Sequence, residues 1–213
     1  MKCWKQPVLK WAGTLINKNF IILNKMERFE KIETFSEYEK LAEVTCTYPD
    51  SLMVVCVTLG LCGETGEMFE KIQVEQENDE ELKKEAGDIL WYLAMIHKKM
   101  ELPEVNEWLE ITDLTTDALF DPIVSMGKIA EQVKKHIRDN WDGNLPIVLS
   151  DSRKEVVFEE WKKVLKAVTY IVAKTTGTSI KEVAAMNINK LYDRMERNKI
   201  HGAVSYTHLT LPT

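Results

Sequence analysis

The sequence predicts an all-α protein, built as a bundle of amphipathic helices. Apolar residues recur at steps of three and four along most of the chain, and the alternation of β-branched residues that strands require is absent. The 213 residues include only nine glycines and six prolines, which excludes collagen-like and low-complexity chains. A hydrophobic content of 45% is enough to form a sizeable core.

The first three predicted helices lie in the first half of the chain. Residues 36–47 form the first, with Ser36 as N-cap and Glu39 completing a capping box. The second covers residues 51–75 and is apolar nearly all round over 52–62, so we expect other helices to enclose it. The third begins near residue 78 or 79 and is again apolar on every side further along.

The remaining elements follow a shorter helix, which is predicted after Pro103. The glutamates at every third position of that segment are interpreted as a solvated helix face: Glu101, Glu104, Glu107 and Glu110. Three longer helices are predicted over residues 118–139, 152–175 and 179–198. The turn-rich stretch 139–146 separates the first two, and a break at 176–178 precedes the last, with Thr178 or Ser179 as its cap.

The chain also resembles itself. Residues 63–71 align with 127–135, and residues 92–105 align with 170–183, with the extra residues of the second copy falling in a loop. Two related halves explain this better than a chance match between amphipathic helices. We therefore divide the chain into a leader (1–33), a first half (34–112), a second half (113–202) and a tail (203–213). Leader and tail lack a counterpart in the repeat, and we expect them to be extraneous to the natural protein.

Charge and cysteine content limit the classes of partner. A net charge of −6 argues against binding to a nucleic-acid polymer, which needs a clustered basic excess. The four cysteines show no C-x-x-C spacing, so we expect reduced thiols and a cytoplasmic protein. No run of 18 apolar residues occurs, so no membrane span is expected.

Two pairs of acids stand out. Glu64 and Glu67 lie three residues apart at the end of the apolar second helix, and Glu85 and Asp88 repeat the spacing at the start of the third. If these helices pack antiparallel, the four carboxylates converge. They then require a hard divalent cation with oxygen ligands, Mg²⁺ or Mn²⁺.

Three glycines share the second helix with the first acidic pair: Gly60, Gly63 and Gly66. Glycine within a helix is about 1 kcal/mol less favourable than alanine, so three of them invite a functional or packing reason. We expect them to let backbone or ligand come close to the acids.

These residues resemble the MazG-like all-α nucleoside triphosphate pyrophosphohydrolases. The resemblance rests on Glu64-x-x-Glu67, the later Glu85-x-x-Asp88 with the apolar run 89–93, and a closing N-x-x-K-L-x-x-R helix from Asn187 to Arg194. It implies a helical bundle, usually assembled as dimers. It also implies hydrolysis of a (d)NTP to the monophosphate and pyrophosphate with Mg²⁺.

The resemblance also implies roles for individual residues. The metal ligands would be Glu64, Glu67, Glu85 and Asp88, and Glu64 would orient or deprotonate the attacking water. Substrate contacts would come from Tyr92, Asn187, Lys190 and Arg194. The partner is then a single nucleotide triphosphate, and the chain could assemble further as an oligomer of such fused pairs.

The second half departs from the family pattern. Glu64 aligns with Lys128, and Glu85 and Asp88 align with Lys163 and Lys166, or with Val164 and Ala167 if the gap shifts. Of the first-half acids only Glu67 keeps a counterpart, in Glu131. We interpret the chain as a fused pseudo-dimer with one active site.

Two alternatives remain open from the sequence. One is a relative with narrow preference, acting on dUTP, dCTP or phosphoribosyl-ATP, because a single sequence does not reveal the residues of a base pocket. The other is a non-catalytic module that binds nucleotide or a helical partner. The missing acids of the second half favour that module, and the complete set in the first half argues against it.

Overall fold

A computed structural model of the chain describes residues 28–73, 79–109, 120–140 and 146–197. Within those ranges it is built from helices and contains no strand, which confirms the all-α prediction. The described residues contain six α-helices: α1 (Phe35–Val44), α2 (Met53–Gln73), α3 (Asp79–Lys99), α4 (Asp121–Asn140), α5 (Asp151–Thr176) and α6 (Ile180–Glu196). A short 3₁₀ turn, Asp50–Leu52, leads into α2.

The N-cap of helix α1 is Thr34, two residues before the predicted cap, so the prediction of Ser36 as its cap is wrong. Thr34 has extended backbone, and its hydroxyl accepts a hydrogen bond from the Glu37 N–H at 3.1 Å. The helix ends at Val44, before the predicted stop, because Thr45 turns back on it. Both the hydroxyl and the N–H of Thr45 donate to the Ala42 carbonyl, at 2.7 and 3.0 Å.

The long helices pack as two pairs set against each other. α2 packs on α3, α4 packs on α5, and the pairs meet where α2 lies against α4 and α3 lies against α5. α6 lies against α3 and also touches α1 and α5. Large fully buried side chains fill the centre, including Phe35 of α1 and Trp161 of α5, whose rings meet edge to face at 5.1 Å.

No helix follows Pro103 as far as residue 109, so the helix predicted there is wrong over the described part of that segment. Backbone carbonyls of the segment 101–109 instead accept hydrogen bonds from residues of α1 and α3. His97 Nε2 donates to the Pro103 carbonyl at 2.9 Å, and the Asn106 carbonyl accepts from the Ser36 N–H at 3.0 Å. The side chains of Glu101, Glu104 and Glu107 are exposed, as expected, although not on a helix. Glu110 and the predicted connector at 112–116 lie outside the described residues.

Residues 28–33, the described end of the predicted leader, lie against α6. The backbone N–H of Phe29 donates to Asn189 Oδ1 at 3.1 Å, and Asn189 Nδ2 donates back to the Phe29 carbonyl at 2.8 Å. Ile32 is fully buried. The rest of the leader and the tail lie outside the described residues.

By length and composition, the stretch Asp50–Gln73 meets the requirements for a helix that crosses a membrane, contrary to the expectation from apolar runs alone. The core helix of a bundle meets the same requirements. One face of this helix is buried, through Val57, Leu61 and Met68, and the helix carries Glu64 and Glu67. Packing accounts for only part of its apolar content, because Leu52 and Leu59 are exposed, contrary to the expectation that other helices enclose residues 52–62.

Candidate metal centre

Three of the four predicted metal ligands meet where α2 and α3 pack. One carboxylate oxygen each from Glu64, Glu67 and Glu85 lie within 4.8 Å of one another. Glu64 and Glu67 share a face of α2 because they are three residues apart, and α3 brings Glu85 to that face. Glu85 is only 9% exposed, whereas Glu67 is open to solvent.

The carboxylates of this cluster repel one another. Burial raises the pKa of Glu64 to about 7, helped by the negative charges of Asp88, Glu67 and Glu85 and opposed by Lys190. Burial also raises the pKa of Glu85, and the charges of Glu67 and Asp88 add to the shift. The three carboxylates of this cluster themselves bring only negative charge, and their hard oxygen donors fit Mg²⁺ or Mn²⁺.

Asp88, the fourth predicted ligand, does not belong to the group within 4.8 Å. Its Oδ1 accepts from Lys190 Nζ at 2.5 Å and from Asn187 Nδ2 at 3.0 Å, so α6 reaches the acidic end of the α2–α3 pair. Asn187 and Lys190 of the closing helix therefore reach the acids, and their predicted contacts with substrate stay a prediction. Arg194 is exposed and has no hydrogen bond or ion pair to any described residue.

Asn187 is buried, with 2% of its surface exposed. Its Oδ1 accepts from the Tyr38 hydroxyl at 2.9 Å, while its Nδ2 is bonded to Asp88. The α6 backbone can come this close because residue 87 is glycine. A Cβ there would lie 3.0 Å from the Asn187 Cβ.

Sequence reasoning missed Tyr38 as part of the site. The apolar spacing of α1 shows that Tyr38 belongs in the core, but nothing in the local sequence shows which polar group its hydroxyl meets. Burial and the charge of Asp88 raise the pKa of Tyr38 well above its usual value, so the hydroxyl keeps its proton.

The Tyr92 ring lies close to α2 at Gly60. A Cβ on Gly60 would lie 2.1 Å from a ring carbon of Tyr92, so the glycine is required for this approach. The Tyr92 hydroxyl lies 3.1 Å from that of Tyr48. Burial and this hydrogen bond raise the pKa of Tyr92.

The explanation of the other two α2 glycines by close helix packing is wrong. No described atom lies within 4 Å of the place that a Cβ would take at Gly63 or Gly66. Both face solvent, so neighbouring helices do not require them. Their expected role in admitting a ligand stays a prediction.

Comparison with known proteins agrees with this geometry. Residues 56–113 match the family model described as "MazG nucleotide pyrophosphohydrolase domain". The chain is also 32% identical over 80 residues to "Gene 37 protein" of Mycobacterium phage L5, an alignment that covers 30% of this chain and 70% of that protein. The chain belongs to the MazG family. No solved structure matches it.

The matched segment of the MazG domain contains all four predicted metal ligands and Tyr92. It ends before α4, so Asn187, Lys190 and Arg194 lie outside it. Their connection to the metal centre therefore rests on the structure, in which Lys190 and Asn187 bind Asp88.

The second half of this MazG protein contains an ion-pair cluster between α4 and α5. Lys128, which aligns with Glu64, and Lys163, which aligns with Glu85 in one of the two placements of the gap, both donate to Glu160 Oε1, at 3.2 and 3.0 Å. The Ser125 hydroxyl donates to Glu160 Oε2 at 2.7 Å. Burial tends to raise the pKa of Glu160, but Ser125 and the two lysines outweigh it and lower the pKa. Glu131 is paired with Lys134 and Lys135 on its own helix.

Proposed function

We propose that this MazG protein hydrolyses a nucleoside triphosphate to the monophosphate and pyrophosphate, with Mg²⁺ bound by Glu64, Glu67, Glu85 and Asp88. The observation that carries the proposal is the meeting of three of these carboxylates on the segment that matches the family. When bound, Mg²⁺ would neutralise phosphate oxygens and make water more acidic. Mn²⁺ has similar oxygen-ligand chemistry and could replace it.

Glu64 is proposed as the general base. Water attacks the α-phosphorus, the bond from that phosphorus to the bridging oxygen of the β-phosphate breaks, and pyrophosphate leaves. Glu64 takes the proton that the water loses. Its pKa of about 7 belongs to the metal-free site, and a bound divalent cation would lower that pKa and keep the carboxylate ionised, as a proton acceptor must be.

The residues proposed to contact substrate differ in how far their side chains are exposed to solvent. Lys190 and Tyr92 are partly exposed and Arg194 is exposed, so these side chains are open to a nucleotide. Lys190 and Arg194 would bind phosphate oxygens. Asn187 is buried and already bonded at both ends of its amide, which favours a supporting role over the direct contact expected from the family pattern.

The test is release of pyrophosphate from a panel of dNTPs and NTPs with Mg²⁺. We expect Glu64→Gln to lower the rate by about 10²- to 10⁴-fold, the usual contribution of a general base. Glu131→Gln, at the aligned position of Glu67 in the second half, is the matched control and keeps the rate.

Equal rates for wild type and Glu64→Gln would contradict the catalytic role. No release from any nucleotide would favour the binding module, and release from one base alone would show a narrow specificity.

We also propose that the chain is a fused pseudo-dimer with its halves at 34–112 and 113–202. The packing of α2 on α3 and α4 on α5, with α2 against α4 and α3 against α5, is what two related halves would produce. The cluster around Glu160 supports a single metal centre per chain, because Lys128 stands at the position that aligns with Glu64, and Lys163 at the position that aligns with Glu85 in one placement of the gap.

A further inference from the structure

Tyr38 lies at the start of a chain of hydrogen bonds that ends on a proposed metal ligand. Its hydroxyl is 2.9 Å from Asn187 Oδ1, and Asn187 Nδ2 is 3.0 Å from Asp88 Oδ1. Tyr38 is fully buried and Asn187 is 2% exposed, so water does not compete for these bonds. The chain joins α1, α6 and α3.

The direction of each bond follows from the chemistry of the groups. An ionised Asp88 carboxylate can only accept, so the Asn187 amide must turn its NH₂ toward it. The amide carbonyl then faces the Tyr38 hydroxyl, which donates to it and also lies 3.5 Å from the Gly87 carbonyl. Asp88 therefore selects this orientation of the Asn187 amide, because the opposite one would set a carbonyl oxygen against the carboxylate, and the Tyr38 hydroxyl stabilises the selected orientation.

Both donors to Asp88 use the same oxygen. Lys190 Nζ and Asn187 Nδ2 bond Oδ1, and no described residue donates to Oδ2. A carboxylate held in this way has one oxygen fixed and the other available to a cation. Partners that orient a metal ligand usually affect metal affinity although they do not touch the metal.

We propose that Tyr38 is a positioning residue of the metal centre, which through Asn187 holds Asp88 with Oδ2 available to a divalent cation. This rests on the proposed function, because it takes Asp88 as a ligand. Gly87 belongs to the same arrangement, since any larger residue would push against Asn187.

The experiment measures Mn²⁺ binding to the full chain without nucleotide. Tyr38→Phe removes only the hydroxyl and keeps the ring, which packs on Trp108 at 5.8 Å. We expect Mn²⁺ affinity to fall about tenfold, the lower end of the range for partners that orient metal ligands. Tyr192→Phe is the matched control, because it removes a half-buried hydroxyl that donates to the Leu41 carbonyl at 3.3 Å and does not bond Asp88. Its Mn²⁺ affinity should stay that of wild type.

Two further variants test the route of the effect. In an Asn187→Ala background, Tyr38→Phe should cause no additional loss of affinity, because the connection to Asp88 is already broken. Gly87→Ala should weaken Mn²⁺ binding with the Tyr38 hydroxyl in place, because the new Cβ would lie 3.1 Å from Asn187 Nδ2. This second route keeps the proposal testable if Tyr38→Phe does not fold.

The outcomes separate this proposal from the function on which it rests. If Asp88→Asn weakens Mn²⁺ binding and Tyr38→Phe does not, the positioning role is wrong and the metal centre stands. If Asp88→Asn binds Mn²⁺ as wild type does, the proposed ligand set itself is wrong. A purely structural role would lower the melting temperature of Tyr38→Phe and Tyr192→Phe alike and leave both Mn²⁺ affinities unchanged.

Discussion

Glu64 binds its proton more tightly than an ordinary carboxyl group, because it is partly buried beside three other acids. Its pKa rises from 4.5 to about 7 in the metal-free fold. Between these values the folded chain binds more protons at this position than the unfolded chain does. Glu64 therefore makes the free energy of unfolding decrease as the pH rises through that window.

This gives a prediction for the metal-free protein in EDTA. Glu64→Gln resembles the protonated side chain, so it should unfold like wild type below about pH 4, become more stable than wild type as the pH rises through the window from 4.5 to about 7, and stay more stable above it. Urea unfolding at several pH values measures the difference. Glu70→Gln, an exposed acid on the same helix, is the control. A difference between Glu64→Gln and wild type that does not change with pH would contradict the assigned pKa.

At the scale of the element, two glycines of α2 have different surroundings, because Gly60 lies next to Tyr92 of α3 and Gly63 faces solvent. A Cβ at Gly60 would overlap the Tyr92 ring, whereas a Cβ at Gly63 would have no described atom within 4 Å. The two positions are one turn apart on the same helix. The same substitution should therefore have opposite effects.

We expect Gly63→Ala to stabilise the protein by about 1 kcal/mol, through the helix propensity of alanine. Gly60→Ala should destabilise it and displace the Tyr92 ring, because the new Cβ would lie 2.1 Å from that ring. Thermal unfolding measures both changes, and nucleotide KM reports the displacement of Tyr92. Equal stability of Gly60→Ala and Gly63→Ala would show that the Tyr92 ring moves aside without lowering the free energy of unfolding.

The sequence mispredicts segments whose structure depends on contacts with residues far away in the chain. α1 begins at Phe35 because Thr34 caps it, and both Thr34 and Ser36 are good capping residues by composition. Residues 101–109 contain helix-forming glutamates, yet their backbone and side chains are held by α1 and α3. Local propensity is too small to decide between such alternatives once tertiary contacts form.

At the scale of the whole molecule, the two helix pairs differ in how they balance charge. The α2–α3 pair gathers carboxylates, whereas the α4–α5 pair surrounds Glu160 with Lys128 and Lys163. The second pair needs no metal for neutrality. The arrangement predicts a single metal centre in each chain.

Titration with Mn²⁺ should therefore show one acidic centre per chain. Mn²⁺ binding at this centre should be lost in the double variant Glu67→Gln with Asp88→Asn. Glu160→Gln should keep that stoichiometry and lower the free energy of unfolding by only about 1 kcal/mol, because the side chains of Lys128 and Lys163 are about half exposed and water can replace the lost carboxylate. A second centre, or loss of metal binding in Glu160→Gln, would contradict the pseudo-dimer.

The sequence by itself determined the helical class, the approximate bounds of the long helices and the acids of the first half. These follow from local period and from spacing, which a chain carries whatever it packs against. Only the tertiary structure decided which acids meet, that Asp88 is held by Lys190 and Asn187, and that buried Tyr38 supports them. The residues of that last group are far apart in sequence, and only the packing of α1 and α6 on α3 brings them within hydrogen-bond distance.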